Sequence, residues 1–306
     1  MDGIILIDKP QGMTSHDAVS FLRRLTGVKK IGHTGTLDPL ATGVLPLCIG
    51  KATRVIEFID ADESHDAKVY ECVMQLGIAT DTQDITGTVI SDILLPESQP
   101  VTVGRITDVL MSFAGAQKQL PPMYSAIKYK GRKLYEYARS GEELPDEALK
   151  LRDVYISSIT VNSIDLQENT VAFTVASSRG TYVRTICHDA GIMLGVGAAM
   201  KSLRRVKSGA FTIDRCHSTE ALEEMRDELP LIPMDEAIPF LPVTELSAEA
   251  ARLFQNGIKT DMKADTEADI EAEEDGMRRI YAGGSFIGIG KAENGLLKPY
   301  KVIVTE

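Results

Sequence analysis

Two neighbouring segments that alternate apolar and polar residues restrict the possible folds of this chain most strongly. They are VYISSITVNSI (154–164) and TVAFTVASS (170–178), and both are rich in β-branched side chains. A period of two predicts strands, and the short connection predicts that the two strands pair antiparallel. We therefore expect a sheet that is at least partly antiparallel.

The other predicted elements do not repeat a strand–helix–strand unit. Strands are predicted at 3–7, at 70–76, and at 44–49 with an interruption at Pro46. Helices are predicted at 14–27, 51–60, 102–113, 131–141 and 246–257, and within 179–195 after a turn at Gly180. This irregular order indicates an α+β fold rather than a doubly wound parallel sheet.

Both ends of the chain have clear local signals. Thr14 and Asp17 have the spacing of a capping box, and Gly27 is a typical helix stop. Residues 278–306 contain short apolar runs separated by glycine turns, which is typical of a small β-rich domain. The acidic stretch 261–276 is predicted to be an exposed insertion in that domain.

The composition is that of an ordinary soluble globular protein, with 43% hydrophobic and 25% charged residues. The four cysteines are scattered, which argues against a zinc site or a disulfide framework. The first residues lack the features of a signal peptide, and no segment approaches the roughly 20 apolar residues of a membrane helix. We therefore predict a cytoplasmic protein of about two domains.

The formal net charge of −11 is unevenly distributed along the chain. Residues 211–306 carry 10 basic and 20 acidic side chains, which leaves a net charge of −1 for residues 1–210. Basic clusters lie at 23–30, 128–139 and 201–207, and tyrosines are interleaved with the second cluster. Such clusters contact a phosphate backbone or form solvated helix faces, and charge alone leaves both interpretations open.

A single acid, Asp38, lies between closely spaced glycines and threonines in GHTGTLDPLATG (32–43). An aspartate beside a proline commonly caps a turn, and composition favours that interpretation. The alternative is a nucleophile or base, with the glycines admitting a substrate and the threonines satisfying the turn. An arginine would keep the carboxylate ionised, and Arg184 is one candidate that spacing alone does not select.

The same region lacks the common phosphate-binding loops. A mononucleotide loop needs GxxxxGK[ST], whereas Leu45 replaces the first glycine and Ala52 the final hydroxyl residue. No GxGxxG follows a predicted strand, and no second histidine lies at ligand spacing from His33. These features predict that the chain uses neither a nucleotide cofactor nor a metal.

The segment GHTGTLDPLATGVLPLCIGKATR (32–54) closely resembles the catalytic motif of the bacterial TruB family of pseudouridine synthases. Further segments resemble the family in the same order along the chain, at 7–19, 70–87, 119–141, 177–191 and 203–211. The resemblance covers about residues 1–240 and is specific, because several collinear motifs match. The remainder resembles a PUA RNA-binding module.

The resemblance implies a pseudouridine synthase fold, an α+β domain whose mixed, mainly antiparallel central sheet is flanked by helices and loops. The catalytic domain would span 1–240 and include an RNA-gripping insertion at about 100–145. A small β-rich, PUA-like domain would span 241–306 and contain the acidic insertion at 261–276.

The resemblance also implies roles for individual residues. Three catalytic residues are implied: Asp38 matches the essential aspartate, Arg184 the arginine that pairs with it, and Tyr70 the tyrosine that packs against the target base and is expected to take part in proton transfer. Substrate-binding positions are implied for His33, Tyr182 and Leu203, and for Lys9 and Pro10 in a segment that supports the active site. Contacts with the RNA backbone are expected for Lys128, Lys130, Arg132 and Lys133.

The implied reaction isomerises uridine to pseudouridine at position 55 in the T loop of tRNA, after the base is flipped out. The aspartate would attack C1′, attack C6 or remove a ribose proton, and the sequence leaves these routes open. No cofactor is expected, and the expected partner is tRNA, bound by a monomer without an obligatory protein partner. Two alternatives remain: a tRNA-folding factor with incidental catalysis, and an RNA-guided synthase in a multi-protein complex.

Overall fold

The computed structural model describes residues 1–59, 67–92, 101–142, 144–145, 148–261 and 275–303. The strands in chain order are β1 (Gly3–Lys9), β2 (Ile31–His33), β3 (Thr42–Ile49), β4 (Lys68–Leu76), β5 (Ile78–Thr80), β6 (Val89–Asp92), β7 (Gly115–Gln119), β8 (Lys128–Tyr129), β9 (Arg132–Lys133), β10 (Arg152–Asp165), β11 (Thr170–Ser177), β12 (Ala198–Ser208), β13 (Phe211–Thr212), β14 (Val243–Glu245), β15 (Thr260–Asp261), β16 (Gly276–Ala282), β17 (Ser285–Glu293) and β18 (Leu296–Val302). Most of the predicted acidic insertion lies outside the described residues.

The α-helices in chain order are α1 (Ser15–Thr26), α2 (Ile56–Ile59), α3 (Val103–Met111), α4 (Leu134–Ser140), α5 (Val183–Leu194), α6 (Thr219–Glu224) and α7 (Ala248–Gln255). Short 3-10 helices lie at Gly50–Arg54, Ile213–Arg215 and Met234–Ala237. Among the described residues, no helix combines the length and the apolar character that crossing a membrane requires.

Nine of the described strands form one central sheet, in the order β1-β3-β12-β4-β11-β10-β7, with β2 also paired to β3 and β13 to β12. Strand β12 runs parallel to β3, and the remaining pairs are antiparallel. The predicted hairpin is present as β10 and β11, and the inward residues Val171, Phe173 and Val175 are fully buried. The predicted α+β class with a mixed, mainly antiparallel sheet is confirmed.

Both faces of β1 are buried, which explains its unbroken apolar run. Ile5 and Ile7 belong to a core that also includes buried residues of α1, α3 and α5. Ile4 and Leu6 point to the opposite face and join a second core that includes residues of the C-terminal sheet. The central sheet is therefore a middle layer between helices and the C-terminal part of the chain.

Helix α1 has the boundaries that its sequence predicts. The main-chain N–H of Asp17 donates to Oγ1 of Thr14 at 3.0 Å, and the N–H of Thr14 donates to a carboxylate oxygen of Asp17 at 3.0 Å. Gly27 ends the helix with φ +72°. The predicted capping box and glycine stop are confirmed, and they place Ser15 at the start of the helix.

Two predicted element boundaries are wrong. Strand β3 runs without interruption through Pro46, whose carbonyl oxygen accepts from the N–H of Thr34 at 3.2 Å. Pro46 has no N–H to donate, and the strand continues through it because its carbonyl oxygen keeps this bond. The helix predicted at 131–141 begins at Leu134, because Arg132 and Lys133 pair with β8 in a short hairpin.

The C-terminal part is a five-stranded sheet in the order β14-β16-β17-β18-β15, with α7 packed on it. Phe254, Ile280 and Leu297 are fully buried in its own core. The small β-rich unit expected at this end of the chain is confirmed. The predicted domain boundary at 240/241 stays a prediction.

Candidate active site

Asp38 lies in the loop between β2 and β3, residues 34–41, which we call the Asp38 loop. Glycines beside and within this loop leave space for strand β12. A Cβ on Gly43, where φ is +99°, would lie 2.1 Å from the carbonyl oxygen of Arg205. On Gly35, where φ is +61°, it would lie 3.1 Å from the guanidinium of Arg205. These glycines thus make room for the protein itself, whereas the sequence interpretation has them admit a substrate.

The main chain of the Asp38 loop is held by side chains from two distant elements. The buried guanidinium of Arg205 donates to the carbonyl oxygens of Gly35 and Val44, both at 2.8 Å. Oγ of Ser15, at the start of α1, donates to the carbonyl oxygen of Leu37 at 3.1 Å and accepts from its N–H at 2.9 Å. The residue before Asp38 is therefore fixed by both of its main-chain polar groups.

The threonines of this segment do not have the turn-satisfying role that the sequence suggested. The described residues contain no side-chain bond from Thr34, Thr36 or Thr42 to the main chain of the Asp38 loop. Oγ1 of Thr42 instead donates to the carbonyl oxygen of Leu203, on β12, at 3.4 Å. The loop is held from outside by Ser15 and Arg205, which no local pattern indicated.

The structure pairs Asp38 with Arg184. Nε of Arg184 lies 3.0 Å from Oδ2 of Asp38. The other two nitrogens of the guanidinium donate to the carbonyl oxygens of Thr82 at 3.1 Å and Tyr124 at 3.0 Å. Arg184 is only 5% exposed, whereas the Asp38 side chain is 38% exposed. The arginine is thus held in place by three acceptors, and it leaves part of the carboxylate open to the cleft.

Burial and three neighbouring charges decide the basicity of Asp38. Burial raises the pKa of its carboxyl above the usual value, the positive charge of Arg184 lowers it, the negative charge of Asp84 raises it, and Lys9 lowers it. Burial dominates, so the pKa of Asp38 is raised. A carboxylate with a raised pKa is a stronger base than an ordinary aspartate. The site can therefore supply a basic carboxylate that an arginine keeps oriented.

Asp84 is a cleft residue that the sequence reasoning missed. One of its carboxylate oxygens accepts from Oγ1 of Thr82 at 3.0 Å and from both N and Oγ1 of Thr86, at 2.9 and 2.5 Å. These bonds fix a buried negative charge close to Asp38. The available signal was the run TDTQDITG (80–87), in which threonines flank an aspartate within a turn.

A cleft of about 1520 Å³ opens above the ion pair. Seven of the residues predicted from the sequence line it together: His33, Asp38, Tyr70, Lys133, Tyr182, Arg184 and Leu203. Tyr70 and Leu203 are almost fully buried, so they form part of its floor. The cleft therefore combines residues of the Asp38 loop with residues of β2, β4, β12 and the start of α5.

Lys9 and Pro10 do not line this cleft. Lys9 is fully buried, and Nζ donates to the carbonyl oxygens of Met13 at 2.7 Å and Pro10 at 3.0 Å. Burial lowers the pKa of Lys9 to about 8. These bonds shape the turn before α1, from which Ser15 reaches the Asp38 loop, so the segment supports the site from behind.

The four cations expected at the RNA backbone lie on or beside the short hairpin of β8 and β9, but their surroundings differ. Arg132 is paired with Glu142 at 3.1 Å and lies over the ring of Tyr137 at 4.2 Å. Lys133 lines the catalytic cleft, together with Tyr135 and Arg139 of α4. Lys128 and Lys130 line a separate groove of about 520 Å³, together with Lys150 and Arg152.

The basic cluster at 201–207 is partly used inside the protein. Arg205 is fully buried, and Arg204 forms an ion pair with Asp8 at 2.7 Å. Nζ of Lys201 donates to Oε1 of Gln75 at 3.0 Å. The cluster lies on strand β12, so the interpretation as a solvated helix face is wrong, and a contact with a phosphate backbone stays a prediction.

Family models match almost the whole chain. The model described as "TruB family pseudouridylate synthase (N terminal domain)" matches residues 23–183. "tRNA pseudouridylate synthase B C-terminal domain" matches 184–238, and "Pseudouridine synthase II TruB, C-terminal" matches 242–303. The matched ranges include the Asp38 loop, Arg184 and the C-terminal sheet.

Individual proteins are similar over the full length. tRNA pseudouridine synthase B of Clostridium perfringens (strain 13 / Type A) is 38% identical over 308 residues, which covers 100% of both chains. The protein of the same name from Geobacter sulfurreducens is 44% identical over 262 residues, 84% of this chain and 82% of that one. The structure entitled "Structure of H/ACA RNP bound to a substrate RNA containing 2'-deoxyuridine" superposes with a TM-score of 0.71 over 99% of this chain and 85% of that chain, at 24% identity. That last likeness concerns the fold alone.

Proposed function

Because the chain belongs to the TruB family of pseudouridylate synthases and isomerises uridine in tRNA, we propose that its target is the uridine at position 55 of the T loop. The relatives of the same family carry the name tRNA pseudouridine synthase B, which supports tRNA as the substrate. The observation that carries the proposal is the Asp38–Arg184 pair at the floor of the cleft, with Nε and Oδ2 3.0 Å apart.

Asp38 is the group that acts on the nucleotide. The reaction breaks the N1–C1′ bond, turns the base and joins it again through C5, so no electrons enter or leave. A partly exposed carboxylate can attack C1′, attack C6 or remove a proton from the ribose, and each route needs it ionised. Arg184 keeps it ionised and oriented, since its own position is fixed by the carbonyl oxygens of Thr82 and Tyr124.

The target base enters the cleft in a flipped conformation. Extruding a stacked nucleotide costs a few kcal/mol, which contacts with the flipped base must offset. Tyr70 and Leu203 in the floor, with Tyr182 at the wall, supply aromatic and apolar surface for that purpose. His33, on the edge strand β2, fills space beside the flipped nucleotide.

The insertion at about 100–145 grips the RNA through its phosphates. Lys128 and Lys130 are exposed, and Lys133 faces the cleft, so these three are available to phosphate oxygens. Contacts of this kind position the RNA without reading its sequence and weaken with salt. The C-terminal PUA-like unit is proposed as a further RNA-binding part.

The direct test follows tritium release from tRNA that carries tritium at C5 of its uridines. We expect the purified chain, without additives or a guide RNA, to release about one equivalent per tRNA, and none from a tRNA with cytidine at position 55. Asp38→Asn should abolish release while tRNA affinity stays within a few-fold, because the amide keeps the size but is neither nucleophile nor base. Asp214→Asn, an exposed site, is the matched control.

The outcomes separate the alternatives. Undiminished release from the position-55 variant tRNA would reject the proposed target. Tight binding without any release would favour the tRNA-folding factor, and release that needs a guide RNA or further proteins would favour the RNA-guided synthase.

A further inference from the structure

Gln119, the last residue of β7, makes an unusual contact with the start of α5. Its side chain is buried, and Nε2 donates to the carbonyl oxygen of Tyr182 at 2.9 Å. Its Oε1 accepts from the N–H of the same residue at 2.7 Å. One amide side chain therefore binds both main-chain polar groups of a single residue, as a neighbouring strand would.

Tyr182 is the N-cap of α5, and its own side chain makes no capping bond. Its carbonyl oxygen also accepts from the N–H groups of Thr185 at 3.1 Å and Ile186 at 3.3 Å, which begin the helix. The first turn of a helix is its least constrained part, because its N–H groups have no partner further back. Gln119 fixes the residue from which that turn starts.

Arg184 is the second residue of this turn. On the basis of the proposed role of Asp38, we infer that Gln119 is a positioning residue, which holds the first turn of α5 so that Arg184 meets Asp38. The distance to be kept is the 3.0 Å between Nε of Arg184 and Oδ2 of Asp38. A misplacement of about 1 Å in such a pair lowers rates by about a hundredfold.

The same contact joins the RNA-gripping insertion to the catalytic pair. After Gln119 the chain continues to Tyr124, whose carbonyl oxygen accepts from Arg184 at 3.0 Å. Ser125 then accepts, through its carbonyl oxygen, from the N–H of Tyr135 at 3.1 Å, and Tyr135 lines the cleft beside Lys133. If bound RNA displaces the insertion, the displacement therefore reaches a segment that Gln119 attaches to α5.

The pH dependence of the reaction distinguishes positioning from plain structural support. Asp38 faces Arg184 of α5, Asp84 of the loop after β5, Lys9 at the end of β1 and the phenol of Tyr182. Arg184 is the strongest of the charges that lower the pKa of Asp38. If Arg184 moves away, the carboxylate ionises only at higher pH. The acidic limb of the pH–rate profile, where the rate falls as Asp38 is protonated, therefore moves to higher pH.

The experiment uses Gln119→Met in the full chain, because methionine keeps the volume and removes both bonds. We expect the single-turnover rate at saturating tRNA to fall at least tenfold, tRNA affinity to stay within a few-fold, and the acidic limb to shift to higher pH. Gln119→Asn keeps the amide but is shorter, so its single-turnover rate should lie between those of Gln119→Met and the natural chain. It serves as the test variant if Gln119→Met does not fold.

Gln117→Ala is the matched control on the same strand, since the side chain of Gln117 donates through Nε2 to the carbonyl oxygen of Ser112, at 3.3 Å near the surface. Its rate and acidic limb should equal those of the natural chain. A full rate in the Gln119 variants, a loss confined to thermal stability, or a slow rate with an unmoved acidic limb would each overturn the inference. Lack of tritium release by the natural chain would instead reject the proposed function.

Discussion

At the scale of single residues, the site depends on how one carboxylate and one guanidinium are held. Arg184 has three acceptors around it, and each comes from a different segment of the chain. Asp38 is held through its side chain by Arg184 and through its loop, since Ser15 binds the main chain of Leu37 and Arg205 binds the carbonyl oxygens of Gly35 and Val44. The carboxylate therefore keeps its place while staying partly open to a substrate.

Arg184→Met should slow the reaction strongly and shift its pH dependence. Arg184 lowers the pKa of Asp38, so its removal raises that pKa further, and the acidic limb of the rate profile moves to higher pH. Single-turnover rates measured between about pH 5 and 8 check this. Arg226→Gln, an exposed arginine, is the control. A near-normal rate with an unmoved limb would contradict the pairing.

Gly43→Ala should destabilise the fold by about 3 kcal/mol or more, since the added Cβ would meet the carbonyl oxygen of Arg205 at 2.1 Å. Gly27→Ala has a similar φ of +72° but nothing within 4 Å of the added Cβ, so about 1 kcal/mol is expected there. Urea unfolding of both variants separates close contact from backbone strain. Equal losses of unfolding free energy in the two variants would show that the close approach of Gly43 to Arg205 on β12 does not contribute.

At the scale of elements, the hairpin β8–β9 and helix α4 present cations in different electrostatic settings. Lys128 and Lys130 are exposed at a groove, whereas Arg132 is already paired with Glu142. A cation without a protein carboxylate nearby is free to bind phosphate and release its counterions. A paired cation must first leave its partner.

The salt dependence of tRNA binding should differ accordingly. Lys128→Gln and Lys130→Gln should each reduce the slope of log K against log salt by roughly 0.7–0.9, with little change in the single-turnover rate at saturating tRNA. Arg132→Gln should reduce the slope clearly less, and it serves as the matched comparison. Titrations between about 50 and 200 mM salt measure the three slopes. A larger reduction of the slope in Arg132→Gln than in the two lysine variants would reject the hypothesis that pairing with Glu142 makes Arg132 less available to phosphate.

At the scale of the whole molecule, the C-terminal sheet is packed against the catalytic part. Ile289 of β17 and Ile303 are fully buried in the core that contains Ile4 and Phe58. Around this core lie an ion pair of Lys301 with Glu57 at 2.7 Å and an edge-on contact of Phe58 with Tyr300. The two parts therefore share buried apolar surface and should unfold together.

Ile289→Ala should lower the free energy of unfolding by about 2–5 kcal/mol, because it leaves a cavity between the C-terminal sheet and the catalytic part. Lys301→Ala removes only a partly exposed ion pair and should cost at most about 1 kcal/mol. Thermal unfolding of both variants should show one transition with a lowered Tm. Two separate transitions in Ile289→Ala, with one unshifted, would indicate independent units.

The features that depend on near neighbours can be predicted from the amino-acid sequence alone. The capping box of Thr14 and Asp17, the stop at Gly27 and the alternation that forms β10 and β11 are all present as predicted. The family resemblance singled out Asp38 and Arg184, and the structure brings them together. Periodicity and capping succeed because each involves residues within about four positions of one another.

The contacts between distant segments, in contrast, could not be predicted before the fold was known. The parallel pairing of β3 with β12, the continuous strand through Pro46, and the bonds from Arg205 and Gln119 to the site join residues far apart in sequence. Arg205 stands in an ordinary basic cluster, and Gln119 ends an ordinary short strand, so neither has a local signal. Their partners are fixed by how the sheet is assembled, because a side chain's hydrogen bonds depend on which elements pack beside it, and local periodicity contains no information about that.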